Sequence, residues 1–337
     1  MDRMLRTLMN ILLLFILTTG FSLHAVAQEP FWYQPKDATL NDNAYNQTPY
    51  FSLQWWYLDV SFTNSYTAHI GLLTIAAHAT TGFFLVQIHI YDQGTLLAQR
   101  IQLIPLRFFH LSTQEPVISY QGKEVLRSSL DQNNHLCVAV KLIIKDLRVD
   151  LLFTGTSQGW IGYTGLGMWG CPLPKAEVTG NLTITGKQIP VEGSGYQEHG
   201  WDVRRLHKSW YWGKCTSEHM NLVFSQNMKN RHSEDVFIAL VNTQYNNYTS
   251  IHRENITFVH MKYTLNHGRF IPIESFLTIH EGLSTVQVWL QVKSIDYKNL
   301  LLMHYWRFHV QVTGLISYNN TTEEINEVQM MEVFHRL

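Results

Sequence analysis

Residues 82–103, GFFLVQIHIYDQGTLLAQRIQL, alternate apolar and polar side chains on both sides of Asp92-Gln93-Gly94. A period of two puts successive side chains on opposite faces of an extended chain, and a glycine-bearing turn between two such runs predicts a β-hairpin. The same reading extends outward. Residues 135–155, HLCVAVKLIIKDLRVDLLFTG, predict a second hairpin turning near Lys145-Asp146, and 176–193, AEVTGNLTITGKQIPVEG, predict short strands punctuated by glycine. Further strands are expected over 235–245, 254–265, 285–295 and 304–318, with 328–337 closing the chain. No long window carries a helical period, so the expected fold class is all-β, made of antiparallel sandwiches or barrels.

Two tryptophan-rich stretches divide the strands: LQWWYLD, 53–59, opens one series and KSWYWGK, 208–214, opens another. They are compatible with two consecutive barrels split near residue 190, an N-terminal one over 28–192 and a C-terminal one over 193–337. The plainer reading of each tryptophan is a ring that plugs one end of a small barrel.

At the start of the chain, Arg3 and Arg6 precede the apolar run LMNILLLFILTTGFSL, 8–23, which ends at Ala25-Val26-Ala27. Basic, apolar and small-x-small regions in that order predict a signal peptide over 1–27 and a secreted or cell-envelope protein. The alternative is an uncleaved anchor, and membrane association is expected by that route only. With 45% hydrophobic and 13% aromatic residues, the remainder has material for large cores. The net charge of −1 gives no electrostatic ground for a nucleic-acid partner. Three cysteines are too few for a disulfide framework and lack CxxC spacing; Cys171 with Cys215 is the one bridge to weigh. Six Asn-x-Thr sequons, at Asn46, Asn181, Asn247, Asn255, Asn319 and Asn320, are candidate glycosylation sites in a secreted chain.

Chemistry concentrates in 193–205, GSGYQEHGWDVRR. Strand alternation puts Gln197, His199 and Trp201 on one face, and Tyr196 and Glu198 on the other with Asp202. His199 beside Trp201 is a titratable ring against an aromatic wall, which lowers a histidine's pKa and suits proton transfer near neutrality. The competing reading is a buried histidine bonded to a carbonyl in a glycine-kinked strand. Glu198 in an aromatic pocket would be held protonated and act as a general acid. Asp202, followed by Arg204 and Arg205, reads as a solvated rim. The chain has 17 histidines, but HxH, HExxH and CxxC patterns are missing, so neither a metal nor another cofactor is expected.

The blocks QWWYLD, EVTGNL, EGSGYQEHGW and SWYWGKCTSEHMNLVFS, in order between residues 54 and 225, resemble the AttH and CrtC family, best known for carotenoid 1,2-hydratases. The resemblance rests on Trp55, Trp56 and Tyr57, then Gly193, Gly195, Tyr196, His199 and Trp201, then Trp210, Trp212 and Gly213. It implies two tandem lipocalin-like β-barrels, a fold able to enclose one small apolar ligand. It also implies that the His-x-Trp pair, here His199 and Trp201, belongs to the site, followed by a Tyr-x-Asp pair. Phe224 and Gln226 stand where that pair is expected. Gln54 replaces the family's glutamate, Glu198 its aspartate and Asp202 its glycine. Hydrating an alkene needs a strong acid and aromatic faces for the resulting cation; glutamine cannot supply the proton, which leaves Glu198.

The function expected is therefore binding of an apolar small molecule, a lipid or isoprenoid, in a cleft between the barrels. Trp55, Trp56, Tyr57, Tyr196, Trp210 and Trp212 would line it, with Phe224 and Gln226. The alternative is a hydratase, isomerase or cyclase with His199 as acid-base group, Glu198 as acid and Trp201 as cation stabiliser. A third reading is a non-catalytic envelope protein with both barrels packed solid.

Overall fold

The computed structural model describes residues 33–48, 51–78, 81–164, 167–203, 209–228, 236–243, 247–299 and 303–336. The expected signal segment, 1–27, and Arg204 and Arg205 lie outside the described residues. The hairpin read from 82–103 is present: Thr81–Asp92 pairs antiparallel with Thr95–Pro105. Its turn residues Gln93 and Gly94 have φ of 48° and 77°, the left-handed geometry that fits the twist of paired strands. Leu136–Ile144 likewise pairs with Leu147–Gly155 across Lys145-Asp146.

Among the described residues the strands form two antiparallel sheets, of 13 and nine strands. In the first, the opening strand Ser52–Phe62 hydrogen-bonds to the closing strand Lys187–Val203. One flank continues through Tyr66–His78 and Thr81–Asp92 to Thr95–Pro105, and the other runs back through Met168–Ile184 to Phe109–Leu111. Phe84 and Phe109, from strands near the two ends of this path, stack with centroids 4.1 Å apart. That contact curls the sheet around one apolar core, which includes Trp56, Leu58, Val140 and Phe153.

The second sheet repeats the plan. Its opening strand Ser209–Thr216 pairs with its closing strand Thr321–Arg336. Phe237 on Val236–Asn242 and Phe258 on Ile256–Asn266 meet at 5.8 Å and draw its flanks together around Tyr211, Phe224 and Phe308. The echo between the two tryptophan-rich stretches is thus topological: each belongs to the opening strand of a sheet.

The boundary expected between 192 and 193 falls inside Lys187–Val203, which completes the first sheet; the second begins at Ser209. The glycine at that boundary serves strand packing. A Cβ at Gly193 would lie 2.1 Å from the carbonyl oxygen of Ser61 on the adjacent strand. The Cys171–Cys215 bridge is not formed and all three cysteines are free. The reason is placement: Cys171 lies in the layer between the sheets, whereas Cys215 points into the second sheet's core. Because the group opposing Gly193 is backbone, Gly193→Ala should lower unfolding stability by about 3 kcal/mol or more. An unchanged urea midpoint would contradict this account of the strand crossing.

Candidate functional site

Between the sheets lies a third buried layer, and the two opening strands build it. Ser52–Phe62 is buried along both faces, so its sequence LQWWYLD shows a near-continuous apolar run instead of alternation. Trp56 and Leu58 face the first core, whereas Trp55, Tyr57 and Asp59 face the second sheet. On Ser209–Thr216 the same alternation turns Tyr211 and Cys215 inward and Trp210, Trp212 and Lys214 toward the first sheet. Tyr57 meets Trp212 edge-on at 5.3 Å, and Tyr196 lies 5.2 Å from Trp212. Trp160 and Trp169 extend the layer in a T-shaped pair at 5.2 Å.

Glu198 projects into this layer. Its Oε1 accepts the indole N–H of Trp55 at 2.9 Å; its Oε2 accepts that of Trp169 at 2.9 Å and the Tyr196 hydroxyl at 2.7 Å. Burial raises its pKa, the three donors pull it back, and the balance leaves it raised from 4.5 to about 7. Glu198 and Tyr57 are each 8% exposed while Trp56, in the barrel core behind them, has no exposure. The layer is therefore buried, with Glu198 and Tyr57 the least covered of its buried residues.

Charged pairs flank the carboxyl on both sides. Lys214 of the second sheet donates to Asp59 of the first, and its ammonium lies 5.2 Å from the Tyr196 ring centroid. Burial raises the Asp59 pKa, with Lys214 opposing the shift. Further along, Arg307 donates from Nε to Glu332 at 2.9 Å, and Tyr57 donates to the same carboxylate oxygen at 3.1 Å. Arg307 also reaches the Tyr91 hydroxyl, which donates to Asp296 at 2.7 Å. His69 and His89 share an Nδ1···Nδ1 hydrogen bond of 3.2 Å. Burial and the Arg307 charge depress both pKa values well below the usual histidine range. Sequence reading did not single out Trp169, Asp59, Lys214, Arg307 or Glu332. The available signal was a charged residue placed two positions from an aromatic pair, as Asp59 follows Tyr57 and Lys214 follows Trp212.

The expected face assignment of 196–201 holds and separates the proposed catalytic residues. His199 has no exposure and lies on the barrel side, away from Glu198. Its Nδ1 donates to the Asp42 carbonyl at 2.6 Å, its Nε2 accepts from Gln54 at 2.8 Å, and Trp56 stacks on it at 4.6 Å. Burial lowers its pKa to about 4, with the Asp42 carbonyl opposing the shift. A neutral imidazole with both nitrogens occupied is a structural group. Trp201, half-buried, packs against the same ring at 4.7 Å. Trp56 donates to the Asn43 carbonyl and does not line the layer. Phe224 stacks with Tyr211 and Phe237 in the second core, and Gln226 follows it on that face of the strand. Of the residues expected to line the site, the structure brings together Trp55, Tyr57, Tyr196, Glu198, Trp210 and Trp212.

Asp202, where the family pattern has glycine, has φ of 56° at the irregularity between Gly200 and Val203. Aspartate tolerates that left-handed backbone better than most residues, which accounts for both the glycine and its replacement. Among the described residues no group of three or more histidine, cysteine, aspartate or glutamate side chains is arranged to hold a metal ion.

Two curled antiparallel sheets that share an aromatic layer define a tandem lipocalin-like protein, and the fold is that of AttH and CrtC-like proteins. Solved structures similar to this chain include an AttH-type protein from Nitrosomonas europaea, with a TM-score of 0.64 and 12% identity over 85% of this chain and 93% of that one. Kievitone hydratase from Nectria haematococca aligns with a TM-score of 0.60 and 10% identity, over 91% and 98% of the two chains. CghA, solved with Sch210972, aligns at 0.59 and 11%, over 85% and 89%. No protein-family model matches the chain, and no curated protein sequence does either.

Two substitutions separate the structural group from the titrating one. His199→Ala leaves a cavity and strands Gln54 and the Asp42 carbonyl, so it should cost about 3 kcal/mol of stability, read by urea unfolding. At Gly200 a Cβ would fall 2.2 Å from Cζ2 of Trp55. Gly200→Ala should therefore displace that indole, remove one donor from Glu198 and raise its pKa by about one unit. Carbon-detected NMR titration of the Glu198 carboxyl measures the shift, and an unmoved titration would refute the coupling.

Proposed function

We propose that the chain is an acid-base enzyme acting on an apolar small molecule, of isoprenoid or ring-rich type, held between its two sheets. By class it is a hydratase, isomerase or cyclase, and Glu198 is its proton-transfer group. The observation that carries this reading is the Glu198 carboxyl, raised to about 7, in a buried layer walled by Trp55, Tyr57, Trp169, Tyr196 and Trp212. Near neutrality such a group exists in both forms. The acid donates to an alkene carbon or a carbonyl oxygen, and the carboxylate left behind retains three hydrogen bonds that stabilise it. Aromatic faces favour positive charge developing on the substrate. The carboxylate then takes a proton from a neighbouring carbon, completing an isomerisation, or from an attacking water, completing a hydration.

Two buried polar atoms in the layer, Asp59 Oδ2 and Trp212 Nε1, have no hydrogen-bond partner among the described residues. This favours a substrate bearing a hydroxyl or carbonyl, since a lone buried polar atom is expensive. The fold neighbours agree in kind: one is named a hydratase and another was solved with the small molecule Sch210972. His199 has no chemical step in this reading, and Trp201 serves its packing.

Native mass spectrometry of the purified chain, before and after exposure to isoprenoid mixtures, identifies a bound compound to test for turnover. Glu198→Gln should retain that compound and lose about 100-fold or more in rate, and Trp212→Ala should lose the compound itself. When the acid form is required, the wild-type rate falls as pH rises through about 7. Wild-type turnover by Glu198→Gln would overturn the assignment. A stability signature accompanies it. The native carboxyl keeps its proton up to about pH 7, whereas an unfolded chain releases it near 4.5. Stability is thus full below the lower value and falls by about 3 kcal/mol as pH rises through the higher one. Glu198→Gln should flatten that fall, read by urea unfolding at about pH 5 and about pH 8.

A further inference from the structure

The second sheet ends in a hairpin, Ile256–Asn266 paired with Arg269–Glu281, whose outer strand is the edge of the sheet. Its inward side is ordinary: Phe258 packs against Tyr211 and Phe224, and Ile271 is fully buried. Its outward side is not. Met261 is 59% exposed, Leu265 63% and Phe270 72%, with Val259 and Tyr263 exposed beside them. Leu265 and Phe270 are direct partners in register, so these side chains form one patch. Leu96, Leu97 and Ile101 are exposed together on the first sheet's edge strand, at 37%, 51% and 40%, below Met261, Leu265 and Phe270. Ile143 and Tyr163 lie on separate strands. A contiguous apolar patch marks an interaction surface where scattered residues do not.

Charge and backbone narrow the partner. Between Asn255 and Ile273 there is no aspartate or glutamate, whereas Lys262, Arg269, His260 and His267 all fall in that span. The chain's overall balance conceals this local excess of cations. The carboxylates are Glu274, opposite Lys262 in register, and Glu254 and Glu281 at the end away from the turn. The cation excess therefore belongs to the turn end of the hairpin. The edge itself is blunted against strand addition. Its pairing slips between His260 and Lys262 and again between Lys262 and Tyr263, and an exposed lysine occupies the irregularity. Bulges and edge lysines are devices that prevent another strand from docking. The surface thus offers exposed apolar side chains and positive charge while discouraging backbone pairing. A fluid apolar partner with anionic headgroups satisfies all three conditions.

We propose that the 256–281 hairpin docks on an anionic lipid bilayer, with Met261, Leu265 and Phe270 entering the interface and Lys262 and Arg269 at headgroup level. Tyr263, a ring with a polar tip, suits the same depth. Each cation near such a surface favours partitioning by about fivefold, and the buried side chains add an apolar term. The hairpin is distinct from the layer around Glu198, and the proposal stands whether or not that carboxyl is catalytic.

The test is co-sedimentation of the full chain with phosphatidylcholine vesicles, with and without phosphatidylserine. Wild type should bind the phosphatidylserine vesicles more tightly, and that preference should shrink in high salt. Leu265→Ser/Phe270→Ser should lose about tenfold or more in partitioning to both vesicles. Lys262→Glu should lose the preference for phosphatidylserine. All three side chains are exposed, so folding is preserved, and circular dichroism verifies it. Any binding through the apolar 8–23 segment is common to every variant and cancels in the comparison. Equal sedimentation of wild type and both variants would overturn the proposal. So would a wild-type dimer, seen by light scattering, that Leu265→Ser/Phe270→Ser dissociates, because the patch would then belong to a second copy.

Discussion

The two opening strands pack face to face with both of their faces buried, and the remaining structure follows from that constraint. A strand with a solvated face can put its polar residues in water. Ser52–Phe62 cannot, because one face lines a barrel core and the other meets the second sheet. A polar group in the shared layer is costly unless it finds a partner inside the protein. Asp59 finds Lys214, Glu332 finds Arg307 and Tyr57, and Glu198 collects three donors. The aromatic residues do double duty here, since tryptophan and tyrosine carry hydrogen-bond donors on otherwise apolar bodies.

Glu198 and His199 show how one physical term gives neighbours opposite characters. Burial penalises charge, so it lifts the carboxyl to about 7 and drops the imidazole to about 4. The first value makes the side chain exchangeable near neutrality, and the second fixes it as a neutral peg. Pleating of the strand decides which residue meets the shared layer. Shifting the chain by one residue would put the histidine in the aromatic layer and the glutamate among Trp56 and Gln54.

Much of the fold was legible because strand alternation and left-handed turns are local. The hairpins at Gln93-Gly94 and Lys145-Asp146, and the two faces of 196–201, follow from short-range rules. The shared layer was half legible: the aromatics of both opening strands stand out, but nothing local says that they meet. Arg307 and Glu332 were invisible because their strands alternate normally and their role arises from sheets packing across more than 200 residues of sequence, as in the contact of Arg307 with Tyr91. Phe224 and Gln226 were placed by family spacing, yet Val223 is the residue of that strand in the layer. Gly193 matched the family pattern, but the crowding by the Ser61 carbonyl that requires a glycine there comes from a strand more than 100 residues away in sequence.

The Asp59–Lys214 pair is one of several polar links between the two sheets, alongside Tyr57 to Glu332 and Arg307 to Tyr91. Stacked and edge-on rings tolerate a slide of an ångström or two, whereas a buried carboxylate and ammonium do not. The pair therefore acts as a key, fixing how far one barrel is shifted along the other. The fold neighbours share only 10–12% identity with this chain, too little to keep such keys alike. The two barrels of this chain are a matched set: a half borrowed from a fold neighbour would bring a compatible shape and the wrong teeth.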